Sequence, residues 1–262
     1  MMLRQICTGV ALLLLLGGAG ASDARLTLKE VSGALAKATP GRPADLARLD
    51  LSYLDLSGLN FRQADLSGAN LYGADLTDAD LSRANLAGAD LDHSVIIRAN
   101  FAGADLSNAS LLAAVAYSTL DMTDGKTPNF AGANLTGARI IVRLGRADLA
   151  GANLTRVQMG VDPWGPRANL SNDWTGCDLT GANLTRADLR GVRLAFAHLA
   201  RATLSGADLS RADLFHADLT GADLTGADLT GADIAEAVLS GARGWPPPTS
   251  PDEARGRTPS GP

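Results

Sequence analysis

Large apolar residues return every five positions from Leu46: Leu46, Leu51, Leu56, Phe61, Leu66 and onward in strict fives to Leu111. Two residues before each stands a small one, nearly always Ala, occasionally Ser, Val, Leu or Cys. Between the two lies Asp or Asn, and after the large residue come Ser, Thr or similar and then Gly or Arg. The segment Ala217–Gly231 repeats Ala-Asp-Leu-Thr-Gly three times without change. A period of five fits neither the 3.6 of an α-helix nor the 2.0 of a strand, so it signals stacked repeats. Two inward and three outward positions per unit suit a chain that turns a corner every five residues. Four such units would close a square coil of about 20 residues, stacked on its neighbours at about 4.8 Å. The large residue would fill the coil centre, and only a small one fits at the Ala position without overpacking.

Some 35 tandem units of Ala-(Asp/Asn)-Leu-x-x cover residues 44–243, and in this the chain resembles the pentapeptide-repeat family. The resemblance implies an all-β fold, a right-handed quadrilateral β-helix. The unit count gives about ten coils and a rod of roughly 48 Å at the strand spacing. It implies little about function, because one scaffold can carry many unrelated sites. Four spacings of central residues depart from fives: 19 from Leu111 to Phe130, four from Ile140 to Leu144, eleven from Met159 to Leu170 and four from Leu170 to Trp174. None adds more than one residue, so bulged or tightened corners are expected, not insertions.

The ends read differently. Residues 1–21 combine Arg4, an apolar run Val10–Leu16 and a small-x-small site at Ala19-Gly20-Ala21. This is the pattern of a secretory signal peptide cleaved after Ala21, giving a periplasmic or secreted protein. The run is short for a bilayer span. Residues 22–43 should hold a capping helix and linker. Thr27-Leu28-Lys29-Glu30 fits a capping box, and Leu28, Val31, Leu35 and Ala38 share one face. Such a helix would cover the open edge of the first coil. Residues 244–262, rich in Pro, Ser and charge, read as a disordered tail.

Chemistry-bearing motifs are weak. Gly125-Lys126-Thr127 lacks the first glycine of a phosphate loop, since Leu120 stands there. His93, His198 and His216 share no metal-ligand spacing, and no serine is flanked as in a nucleophile elbow. The three Asn-Leu-Thr triplets follow from the repeat itself. Cys177, the one cysteine after cleavage, sits at the small inward position and reads as a buried hydrophobe. The many Asp residues read as outward and solvated. No catalytic residue, metal or cofactor is therefore expected.

Charge alters the picture along the rod. Residues 44–134 carry 12 acids and 5 bases, residues 139–211 carry 6 and 10, and residues 212–243 carry 6 and 1. The candidate interaction surface is the basic middle: Arg143, Arg146, Arg156, Arg186, Arg190, Arg193 and Arg201, with Trp164. Arginines at outward positions read either as ordinary solvated surface or as a band that meets an acidic partner. Trp164, between Pro163 and Gly165-Pro166, either plugs an irregular corner or offers a recognition aromatic. Phe196 and His216 lie one coil apart at the same position and should stack.

The reading from sequence is a non-enzymatic structural or interaction scaffold, exported, whose partner is an unknown protein or acidic envelope component. The alternative comes from the family resemblance: some members mimic duplex DNA and bind gyrase. This chain departs from them in its export signal, its basic middle and its proline-rich end, so nucleic-acid mimicry is disfavoured.

Overall fold

A computed structural model describes residues 26–39, 41–117, 127–160 and 172–244. Its regular elements are one helix, α1 (Leu28–Ala36), and two short strands, β1 (Ser110–Leu112) and β2 (Arg139–Ile141), paired in parallel with Leu111 opposite Ile140. The rest of the repeat region is held by single parallel bridges. They fall into four columns, which start at Asp45, Asp50, Asp55 and Asn60 and climb from coil to coil mostly in steps of 20 residues, with steps of 19, 29 and 30 in the middle of the rod.

A pentad with Asp or Asn before its central residue accounts for all five of its backbone N–H groups. In the unit around Leu66, Leu66 N donates to Asn85 O in the next coil, Gly68 N to Ala87 O, and Asp65 N to Ala44 O in the previous coil. Ala69 N closes the corner by donating to Leu66 O. That leaves Ser67 N, which donates to Asp65 Oδ1 at 3.0 Å. The corner is thus a turn with positive φ at its third residue, Gly68 at 63°, as a type II turn requires. The Asp or Asn is there because its side chain alone can satisfy the amide two residues on. This corrects the reading of these carboxylates as simply solvated. They are mostly half-buried parts of the turn, as at Asp65, Asp80 and Asp105.

The core is one continuous apolar column. The described central residues from Leu46 to Leu224 are buried, as are most inward alanines of those coils, while Leu229, Ile234 and Leu239 of the last coil are half-buried. The register breaks differ from expectation. Phe130 stacks on Phe101 with ring centroids 4.8 Å apart and planes 2° from parallel, and Asn129 pairs with Asn100. Phe130 therefore lies 29 residues above its neighbour, not 19 beyond Leu111 in a coil one residue short. Nine extra residues fall between Val115 and Asn129. Between Asn153 and Asn183 the step is 30, with ten extra residues between Gln158 and Asp173. These are insertions. A count in fives missed them because nine and ten residues are close to two whole periods, which leave the phase of the pattern intact. The tightened corner from Ile140 to Leu144 is present, with Leu144 N donating to Asp173 O at 2.8 Å. From Asp45 to Arg243 the first column makes nine steps.

α1 begins as expected. Thr27 and Glu30 form a reciprocal capping box, and the backbone and hydroxyl of Thr27 hold the Glu30 carboxyl below its ordinary pKa. Val31 is fully buried in the core column, with Leu35, Ala34 and Ala38 packed against it. Leu28, expected on that face, is the first residue of the helix and is 43% exposed. The signal-peptide and tail readings lie outside the described residues.

Candidate interaction surface

The corner turn decides where a large side chain can stand. Among the described residues its third position takes Gly at sixteen corners but Arg at others: Arg146, Arg156, Arg186 and Arg201 have φ of 64°, 56°, 55° and 59°. An L-residue in this region carries a steric cost, on the order of 1 kcal/mol. The structure offsets part of it by placing the arginine stem over a glycine one coil on. Cγ of Arg146, Arg186 and Arg201 lies 3.6, 3.5 and 3.7 Å from where a Cβ on Gly176, Gly206 and Gly221 would be. Each guanidinium is thereby aimed outward from a seated stem.

The remaining candidates occupy other positions of the unit. Arg143 and Arg193 take the Asp/Asn position of the third column. Arg143 donates to the Tyr117 hydroxyl at 3.1 Å, a bond that raises its pKa further. Arg193 lies 3.4 Å from Asp173. Arg190 follows Leu189 in the second column and forks onto Asp188, with Nε–Oδ1 and Nη2–Oδ2 both 2.8 Å, and lies 3.7 Å from Asp208. The structure therefore gathers Arg143, Arg146 and Arg193 on the third column and Arg156 and Arg186 on the first. Arg190 is on the second and Arg201 on the fourth. The arginines ring the middle of the rod and do not line one face. Trp164 lies outside the described residues.

Other side chains singled out in the sequence have structural surroundings. Cys177 is fully buried, its Sγ 3.1 Å from Leu144 O, and desolvation pushes its thiol up to about 12. That removes the thiolate needed for reactivity. Phe196 and His216 stack as expected, with centroids 5.1 Å apart and planes at 19°, and His216 Nε2 lies 3.0 Å from Glu236. Among the described residues no three His, Cys, Asp or Glu side chains converge to hold a metal ion. No described helix is long and apolar enough to cross a membrane.

Two features escaped the sequence reading. Asn172 stands at the small inward position below Trp174 and is 1% exposed. Its amide donates to Ile140 O at 2.8 Å and Met159 O at 2.5 Å, and its oxygen accepts from Val142 N at 2.8 Å. It ties the tightened corner to the coils around it. Polarity at an Ala position was the available signal. The second is an aromatic strip of Tyr53, Tyr72 and His93 on successive coils.

A rigid β-helix with a satisfied backbone frame and outward side chains at its corners defines a solenoid scaffold. The family profile described as Pentapeptide repeats (8 copies) matches residues 44–83, 74–111, 177–214 and 207–243. The chain belongs to the pentapeptide-repeat family, whose fold is a right-handed β-helix. Among solved structures it is 33% identical to HetL, a pentapeptide repeat protein involved in heterocyst differentiation regulation from the cyanobacterium Nostoc sp. strain PCC 7120. That match covers 76% of this chain and 79% of HetL, with a TM-score of 0.31. Trypsin-treated QnrB1, a plasmid-mediated fluoroquinolone resistance protein, is 22% identical over 72% of this chain and 88% of its own, with a TM-score of 0.48. A pentapeptide repeat protein of the Arabidopsis thaliana thylakoid lumen is 24% identical over 54% of this chain and 89% of its own, with a TM-score of 0.29. Comparison with curated proteins found no match.

Proposed function

We propose that this chain is a non-enzymatic interaction scaffold, exported to the periplasm or cell surface, in which α1 caps a rod of about nine coils. The observation that carries the reading is the seating of Arg146, Arg186 and Arg201, whose stems rest on glycines while their charges face outward. A partner could meet such groups without first ordering them. Because the arginines ring the rod, an acidic partner would engage one corner of it. Arg156 and Arg186 form one candidate pair, and Arg143, Arg146 and Arg193 form one candidate trio.

The test uses the chain without residues 1–21 as bait in cell-envelope extract. Arg156→Glu with Arg186→Glu, and separately the triple Glu variant of the trio, should retain the fold. One of the two should lose the captured partner, and binding should weaken as salt rises. A partner held equally by both variants and at high salt would show the arginines to be solvated surface. Export is checked by mass spectrometry of the native protein, where Ser22 is the expected first residue and an intact Met1 would contradict it. Inhibition of DNA gyrase supercoiling by the purified chain would instead favour DNA mimicry.

A further inference from the structure

Three aromatic side chains stand on successive coils of the second column, near the N-terminal end of the rod. Tyr53 is 63% exposed, its ring centroid lies 5.5 Å from that of Tyr72 at 66°, and Tyr72 lies 5.1 Å from His93 at 50°. Together they span about 10 Å along the axis, two strand spacings. Tyr53 and His93 have φ of 58° and 60° at the corner position where the same column elsewhere has Gly73, Gly191 and Gly231. A bulky residue there works against the backbone preference. The fold makes room for it: a Cβ on Gly73 would come within 2.8 Å of the Tyr53 ring carbons.

Carboxylates border the strip, and their positions are fixed. Asp92 Oδ1 accepts from Ser110 Oγ at 2.6 Å and Leu112 N at 2.8 Å, and Asp90 Oδ1 accepts from Asp92 N at 2.9 Å. Desolvation first, then Tyr53, Asp92 and Asp90, pushes the Tyr72 phenol up, and Asp92 is the chain neighbour of His93. No Lys or Arg occurs in this column's units at residues 49–53, 69–73, 89–93 or 109–113. Ring faces beside fixed negative charge are complementary to a cation, which gains from both at once.

We propose that the Tyr53–Tyr72–His93 strip, with Asp90 and Asp92, is a docking surface for an extended arginine- or lysine-bearing segment of a partner protein. It lies in the acidic N-terminal part of the rod, on coils below the arginine ring, so its success or failure is separate from that of the arginine surface. The rings supply the exposed aromatic contacts that dominate small interfaces, and the rigid frame holds the carboxylates at the spacing of the coils.

The experiment titrates the full chain with a fluorescent decapeptide of alternating Arg and Ser, with a Glu-Ser decapeptide as control. The unaltered protein should bind the basic peptide and not the acidic one. Tyr53→Gly with His93→Gly removes two rings and restores the residue the corner prefers, so the melting temperature should stay within about 3 °C or rise. Affinity should fall at least about tenfold. Tyr53→Phe should bind as the parent does. Asp90→Asn keeps the turn acceptor but removes the charge, and should weaken binding severalfold. The proposal is overturned if the parent does not bind the basic peptide. It is equally overturned if the double Gly variant or Asp90→Asn binds as tightly as the parent, since diffuse negative charge would then suffice.

Discussion

Each residue type in the pentad answers to a different demand of one turn. The large apolar residue fills the coil centre, the small one lets the coil close, and the Asp or Asn accepts the amide that no backbone carbonyl reaches. Asn172 replaces an inward Ala and is tolerated because all three of its hydrogen bonds are made. Asn172→Ala would leave Val142 N, Ile140 O and Met159 O without that partner, and should cost at least about 2 kcal/mol in denaturant unfolding. Cys177 should resist alkylation in the native state at neutral pH, as its thiol is buried and pushed up to about 12; prompt labelling would contradict the assignment. The aspartates of the last coils give a pH dependence. Hydrogen bonds from Thr220, Thr225 and Thr230 hold Asp218, Asp223 and Asp228 below the ordinary carboxylate pKa. A depressed folded pKa contributes stability that is present above the unfolded value of about 3.9 and is lost as pH falls through the folded one. Melting temperature should therefore drop below about pH 4. Thr225→Val with Thr230→Val should make that drop shallower, and an unchanged slope would count against the role given to the threonines.

At the scale of elements, what could be read from sequence was whatever the period records. The inward Leu and Ala positions, the corner glycines, the capping box of Thr27 and Glu30 and the Phe196–His216 stack were all legible, because each depends on neighbours at fixed spacing. The insertions before Asn129 and Asp173 were not, since lengths near two periods leave the phase untouched and only pairing between coils reveals them. The candidate arginines were legible as outward residues. Their distribution over four columns was not, because column assignment needs the true length of every intervening coil. Leu28 shows the limit for α1: shared helical spacing places a residue on a face but does not say how far the coil beneath extends. α1 also makes a prediction. Val31→Asp would put a charge against the first coil, where Leu46 and Leu51 are fully buried. It should expose that end and promote concentration-dependent aggregation, measurable by light scattering; a monodisperse variant with unchanged melting would show that the helix covers nothing essential.

For the whole molecule, the frame and the surface are separable. Backbone hydrogen bonds and the apolar column are made by inward positions and corner turns, so outward residues can vary in charge and size from coil to coil. That freedom is why the rod can be acidic and aromatic near Tyr53 and basic around Arg146 and Arg186, and why its partners are not fixed by its fold. The central claim is this division of every pentad into inward and outward positions, and Ala182 and Thr185 test it three residues apart. Ala182 is fully buried beside the coil centre, whereas Thr185 stands at the outward position that Arg62 and Arg190 occupy elsewhere. Thermal unfolding of the two arginine variants, followed by circular dichroism, is the most direct measurement. Ala182→Arg should lose the cooperative transition or melt far lower, in line with burying an unpaired charge, while Thr185→Arg should melt within about 3 °C of the parent. Leu184→Ala, at the coil centre between them, should cost about 2–5 kcal/mol. Equal melting of Ala182→Arg and Thr185→Arg would contradict the division, and with it the account of the rod.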